Sequence, residues 1–206
     1  MSKWLGESEK NVHHVFETAR CVADTGQPAI IFIDELDSLI GVRSEEVGGE
    51  VRMRKQFMME MDGISDKRQL IRVYVIGATN KPWDLDEPFL RRFQKRIYVP
   101  LPDHDTRREI LTHYCRSFHL AAGIDFHALA LMTEGYSGSD VFDVAQAAQM
   151  CVVREFFTSH RLDAAAASLR PITMHDFLDV LTTRQPSVSK DGIRHYEHWY
   201  QHYKAL

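Results

Sequence analysis

The spacing of apolar residues changes several times along this chain, and each change marks a new kind of element. Val12, Val15, Phe16, Ala19, Val22 and Ala23 recur at helical intervals and predict one amphipathic helix, ended by Gly26 and Pro28. The pattern then becomes continuous. Ala29-Ile30-Ile31-Phe32-Ile33 runs without a polar break and stops at Asp34-Glu35. An unbroken run of that length suits a parallel strand buried on both faces. The polar, glycine-bearing stretch from Gly41 to Glu50 predicts a loop, and a helix carrying Phe57, Met58 and Met61 follows, ending near Asp62-Gly63. Val73 to Ala78 predicts a second buried strand that stops at Thr79-Asn80. Pro82, Asp84, Asp86 and Pro88 mark a loop. A basic segment, Arg91-Arg92-Phe93-Gln94-Lys95-Arg96, leads into a third strand at Ile97-Tyr98-Val99, closed by Pro100 and Pro102. Strands alternating with helices predict a parallel sheet.

Beyond Asp103 only helical spacing remains. Asp105 is placed to cap a helix with Ile110, Leu111, Tyr114 and Phe118 on one side. A short helix around Phe126 and Leu129 precedes Ser137 and Asp140, which have the spacing of a capping box for a helix burying Val141, Val144, Ala145, Ala148 and Val152. Thr173 caps a helix with Phe177, Val180 and Leu181, and Ser189 caps a last one with Ile193, Tyr196, Tyr200 and Tyr203. The expected organisation is an α/β part over residues 1–104, a helical part over 105–185 and a C-terminal helix over 186–206.

Composition narrows the class without naming a function. The 206 residues are 44% hydrophobic and 26% charged, an ordinary globular balance. The net charge of −4 provides no global basic field, so nucleic acid is not an expected partner. Cys21, Cys115 and Cys151 are odd in number and far apart, with no CxxC pair; a reducing interior is the default expectation. No apolar run approaches the ~18–20 residues of a membrane span, and no signal-peptide pattern precedes the first helix. The expected location is the cytoplasm, with membranes reached only through partners.

Candidate chemistry gathers at the strand ends. In an open α/β sheet, ligands bind beyond the carboxyl ends of the strands. Asp34-Glu35 and Thr79-Asn80 both end predicted strands, so both pairs should face one crest. One acid can hold Mg2+ through its water shell while the next polarises an attacking water, and an Asn beside them can orient that water or a γ-phosphate. Arg91 and Arg92 should be exposed and able to reach a neighbouring molecule's phosphate, a role that permanent charge and a planar donor fork suit. Each has a plainer reading: an acidic turn after a buried strand, and a solvated basic turn. His195, His198 and His202 share a helix face at metal-like spacing, but no carboxylate or cysteine cluster joins them in sequence.

The chain resembles the AAA ATPases. The motifs are Ser2 to Lys10 (SKWLGESEK), Ile30 to Leu39 (IIFIDELDSL), Gly77 to Asp103 (GATNKPWDLDEPFLRRFQKRIYVPLPD) and Thr133 to Asp140 (TEGYSGSD). The clade they resemble contains the vacuolar-sorting ESCRT-disassembly ATPase, its archaeal cell-division relatives, katanin, spastin and fidgetin. The resemblance implies a P-loop large domain with a parallel sheet, incomplete in this chain, then a small helical lid and a C-terminal helix. It implies ATP and Mg2+ as cofactors. Asp34 is similar to the Walker B acid on the metal side, Glu35 to the catalytic base and Asn80 to sensor 1. Arg91 and Arg92 are similar to paired arginine fingers supplied to the adjacent subunit, with Leu90 where some relatives have a third arginine. Lys3, Trp4 and Leu5 resemble the first pore loop, whose aromatic grips substrate polypeptide in a hexamer's central channel. Gly48 to Glu50 resemble, more loosely, the second pore loop, and the resemblance implies that Gly138 and Ser139 stand where the lid borders the adenine. Arg43 and Arg52 match segments that border neighbouring subunits in this family, and neither is taken as a site residue.

No G-x-x-x-x-G-K-[ST] occurs in these 206 residues. The resemblance therefore implies the C-terminal part of a longer ATPase. The alternatives are a short protein that donates Arg91 and Arg92 to full-length subunits, and a non-catalytic assembly or regulatory subunit. Implied partners are further copies in a homo-hexamer and a protein substrate threaded through the pore. That substrate is expected to be an ESCRT-type filament, with microtubule severing, and so tubulin, as the alternative.

Overall fold

A computed structural model describes residues 7–40, 48–64, 72–159 and 168–204. The chain divides into two compact units, one formed by Met1–Ile97 with Gln201–Leu206 and the other by Tyr98–Tyr200.

In the first unit, helix α1 (Glu7–Asp24) leads to strand β1 (Ala29–Ile33), a short helix α2 (Leu36–Ile40), helix α3 (Gly48–Ile64) and strand β2 (Val73–Gly77). A single turn of 3-10 helix at Pro82–Asp84 and a four-residue helix α4 (Glu87–Leu90) complete it. The two strands pair in parallel, with Ala29 opposite Val73 and Ile33 opposite Gly77. The α1 stripe buries Phe16 and Ala19, which pack the helix on the sheet and on α3, while Val15 and Val22 stay exposed. Phenylalanines from successive elements form one chain of rings through this core. Phe16 meets Phe57 edge-on at 5.3 Å, Phe57 meets Phe89 at 5.6 Å, and Phe89 meets Phe93 at 5.4 Å. In the same unit lies Glu60, whose carboxylate accepts from His13 Nδ1 at 2.6 Å, from Gln56 Nε2 at 2.8 Å and from Arg20. Burial alone would raise the pKa of Glu60, but these hydrogen bonds outweigh it and hold the carboxyl below its ordinary value.

The second unit is helical. Helices α5 (His104–Cys115), α6 (Phe126–Met132), α7 (Gly138–Ser159) and α8 (Met174–Thr183) enclose a core in which Leu111, Leu129, Val141, Val144, Ala145, Ala148 and Phe177 are almost fully buried. The guanidinium of Arg107, itself buried, donates to the Ala130 and Pro102 carbonyls and so ties the start of α5 to the end of α6. Helix α9 (Lys190–Tyr203) begins at Ser189, whose Oγ accepts from the Gly192 amide, and its Tyr200 ring lies 5.7 Å from that of Tyr98. The capping box holds as expected: the Ser137 amide donates to Asp140 Oδ2 at 2.9 Å, and the Asp140 amide donates back to Ser137 Oγ at 3.1 Å.

An α/β part followed by helices is what the sequence predicts, but four details differ. The first strand is not buried on both faces: Ile31 is 7% exposed while Ile30 and Phe32 are 66% and 63% exposed. Ile97-Tyr98-Val99 forms no strand, and Ile97 and Val99 are largely exposed; a strand exists only where another backbone pairs with it. Asp103, not Asp105, caps α5, accepting from the Thr106 amide at 2.8 Å. Gly48 to Glu50 open helix α3 and are not loop, while 41–47 lies outside the described residues.

A candidate nucleotide-hydrolysis crest

The ladder between the two strands continues for one step beyond Ile33 and Gly77. The Ala78 amide donates to the Ile33 carbonyl at 2.8 Å, and the Leu36 amide donates to the Ala78 carbonyl at 2.9 Å. Between those bonds the chain must turn within two residues, and Glu35 takes a left-handed conformation with φ +49°. For a non-glycine residue that conformation costs on the order of 1–2 kcal/mol. Leu36, only 3% exposed, compensates by packing against Gly77. A Cβ at Gly77 would meet Leu36 Cδ2 at 2.8 Å and Phe93 Cζ at 3.3 Å, so the absent side chain is what lets both close on the strand end. The Glu35 carbonyl then accepts from the Ser38 amide at 2.8 Å and starts α2. Asp34 Oδ1 accepts from the Glu35 amide at 2.8 Å and steadies the turn. The result is two adjacent exposed carboxylates at the strand crest.

Asn80 stands at the same crest, one strand over. Its turn is shaped by Thr79, whose hydroxyl donates to Asp37 Oδ1 at 2.5 Å and accepts from the Lys81 amide at 3.0 Å. Asp34, Glu35 and Asn80 are thus brought to one edge of one unit, all exposed. Hard carboxylate oxygens in water contact suit Mg2+, which binds through one or two carboxylates and keeps much of its hydration shell. Among the described residues no group of three or more His, Cys, Asp or Glu is gathered as a closed metal site.

The arginine pair is divided. Asp86 caps α4 by accepting from the Phe89 amide at 3.0 Å, and the helix ends directly at Arg91. The Arg91 side chain is 77% exposed and, among the described residues, pairs with Glu87, one helical turn back, at 3.2 Å. Such an exposed pair is worth about 0.3–0.5 kcal/mol and leaves the guanidinium free to exchange partners. Arg92, expected to be equally exposed, instead folds back. Its Nε and Nη2 grip Asp62 at 2.8 and 2.6 Å, and its Nη1 donates to the Pro88 carbonyl at 2.6 Å. The sequence carries no signal for Asp62, which reads only as the polar end of a helix.

The other expected site residues lie elsewhere. Gly138 and Ser139 form the first turn of α7 in the second unit, Gly138 half-buried and Ser139 exposed. Lys3, Trp4 and Leu5 lie outside the described residues. Cys115 is buried, which pushes its thiol up to about 11 and makes it inert packing; Cys21 is exposed and Cys151 half-buried, both as free thiols. Among the described residues no helix is long and apolar enough to cross a membrane.

Comparison with known proteins gives the family of this chain. Residues 1–101 match the family model described as ATPase family associated with various cellular activities (AAA), and 123–179 match that of the AAA+ lid domain. The chain belongs to the AAA ATPase family. Among curated relatives, "Cell division protein C" of Sulfolobus acidocaldarius is 52% identical over all of this chain and 54% of that protein. Spastin of Naegleria gruberi is 40% identical over 98% of this chain and 39% of its own length. Katanin p60 ATPase-containing subunit A1 of Arabidopsis thaliana is 36% identical over 96% and 40%. The solved FIGL-1 AAA domain in complex with ADP superposes with a TM-score of 0.82 at 31% identity, covering all of this chain and 66% of that one. The chain therefore spans about half the length, or less, of these curated relatives.

Proposed function

We propose that this chain supplies the water-activating crest and the arginine element of an ATP-driven protein-remodelling ATPase of the cytoplasm. The observation that carries this reading is the convergence of Asp34, Glu35 and Asn80 on one strand crest, with Glu35 held in a strained left-handed turn. Glu35 would polarise an attacking water and Asn80 orient it, and Asp34 would be the residue that holds Mg2+. Mg2+ supplies charge neutralisation on the phosphates when bound. Arg91 projects to the nucleotide of an adjacent copy in a hexameric ring, while Arg92 holds the turn through Asp62. Gly138 and Ser139 border the adenine. Lys3, Trp4 and Leu5 grip the substrate polypeptide in the central pore.

Identity of 52% to an archaeal cell division protein, against 40% and 36% to spastin and katanin, favours a role in cell division, and for that role we propose an ESCRT-type filament as the substrate. Severing of microtubules is the second reading, favoured by that spastin and katanin similarity.

The test is complementation across subunits. A full-length AAA relative, its own arginine pair replaced by alanine, is mixed with this chain and ATP turnover is measured. Turnover should rise, and Arg91→Ala should abolish the rise; no rise with the unaltered chain defeats the reading. Alone, the chain should hydrolyse ATP very slowly, and turnover that Glu35→Gln abolishes would show that it needs no partner. Release of subunits from ESCRT-type filaments, but not shortening of microtubules, distinguishes the two substrates.

A further inference from the structure

The third arginine of the basic segment has no part in the crest, yet it bridges two helix ends that lie 113 residues apart in sequence, Leu90 and Tyr203. Arg96 Nη2 donates to the carbonyl of Leu90 at 2.7 Å. Leu90 is the last residue of α4, directly before Arg91, and its carbonyl also accepts from the Phe93 amide at 3.1 Å. Those two donors close the turn from Leu90 to Phe93 that contains Arg91 and Arg92. Arg96 Nη1 donates to the carbonyl of Tyr203, the last residue of α9. Both carbonyls belong to the last residue of a helix, where the partial negative charge of a helix end gathers. Arg96 is half-buried, its Nε has no hydrogen-bond partner among the described residues, and the guanidinium is held by its two outer nitrogens. Leu90 and Arg96 belong to the first unit, and so do the last three residues of α9, Gln201 to Tyr203, although the rest of that helix belongs to the second.

We infer that Arg96 is a positioning residue, which couples the end of α9 to the turn that presents Arg91. A charged hydrogen bond to a helix end is strong when partly desolvated, and one planar fork serving two carbonyls fixes their separation. Loss of the Tyr203 carbonyl leaves one arm of a part-buried guanidinium unpaired, which turns it towards solvent and loosens its grip on Leu90. Arg91 itself stays exposed throughout, so the end of α9 acts on where Arg91 points and not on whether it is free. The functional weight of this coupling rests on Arg91 acting on a neighbouring nucleotide, as proposed above; the coupling itself does not.

Hydrogen exchange of the Phe93 amide, which donates to Leu90, reads the turn directly. Arg96→Met and removal of residues 201–206 should each speed that exchange roughly tenfold, and the two together no more than either alone, since both break one linkage. Arg96→Lys keeps the charge but replaces the planar fork with a rotatable ammonium that does not fix the separation of the two carbonyls, so it should give a smaller increase of the same kind. If removing 201–206 leaves Phe93 exchange unchanged, or if the two changes multiply, the coupling is wrong and Arg96 is only a local brace. If the coupling holds while Arg91→Ala has no effect on a neighbour's turnover, the coupling stands and the reading of Arg91 fails.

Discussion

The two units bury their apolar residues in different ways. In the helical unit Leu111, Leu129, Val141, Ala145, Ala148 and Phe177 are each at 0% exposure, and the core closes on itself. In the α/β unit burial is one-sided. Ile31 and Val73 face α1, while Ile30, Phe32, Tyr74 and Ile76 on the opposite face are 49–66% exposed. A helix buries a stripe against any neighbour of matching shape, so a handful of helices can satisfy one another. A parallel sheet has two faces and needs a layer on each. An apolar sheet face left open is a surface for association. The unit that carries the crest is thus also the unit with unsatisfied surface, and its stability rests on the phenylalanine chain, on Glu60 and on the fit at Gly77.

Substitutions test that contrast. Phe89→Ala in the first unit and Phe177→Ala in the second each remove a fully buried ring, and each should cost about 3–5 kcal/mol, read as loss of hydrogen-exchange protection in the unit concerned. A cost below about 1 kcal/mol for Phe89→Ala would mean that the ring chain does not hold the α/β unit.

Glu60→Gln should cost about 1.5–3 kcal/mol, because it weakens charged hydrogen bonds to a buried acceptor. The linked pH effect follows from the lowered pKa. The contribution of Glu60 is complete above the ordinary carboxyl value of 4.5 and is lost as pH falls through its lower folded value. In the helical unit, hydrogen bonds from Arg170 hold the Asp176 carboxyl far below the usual range, so its contribution survives to lower pH. Acid titration followed by hydrogen exchange should therefore show the α/β unit loosening first. The reverse order would break the comparison.

Gly77→Ala should cost about 1–3 kcal/mol by overpacking, since Leu36 and Phe93 already occupy the space of a Cβ. Its thermal denaturation midpoint should fall accordingly. Phe32→Ser, a change on the open sheet face, should alter stability by no more than about 0.5 kcal/mol. Light scattering should show less self-association in the same variant. If Phe32→Ser proves as costly as Phe89→Ala, that face is covered in solution.

Much of the crest is legible in the sequence. A continuous apolar run that ends in two acids, and a second that ends in Thr-Asn, place those pairs at strand ends by elementary rules, and the strands do run parallel. The helical part is legible for a similar reason: a period of 3.6 with a cap at its start describes a helix completely, whatever packs against it. Helix α2 escapes such a reading because five residues are too few to show a period. The fate of Arg92 escapes it because Asp62, which captures that side chain, lies 30 residues away along the chain.

From the sequence come the order of the two strands and of the longer helices, the α/β-then-helical division and the acids, amide and arginines that the crest and its neighbouring turn carry. Those follow from local periodicity and from residue chemistry, which need no partner to be read. Only tertiary structure decided that β1 is covered on one face, that Ile97-Tyr98-Val99 forms no strand, and that Glu35 is strained. It alone decided that Arg91 is offered while Arg92 and Arg96 are held. Each of these depends on whether a second, distant backbone or side chain is present at hydrogen-bonding or van der Waals distance, and a linear pattern does not encode that distance.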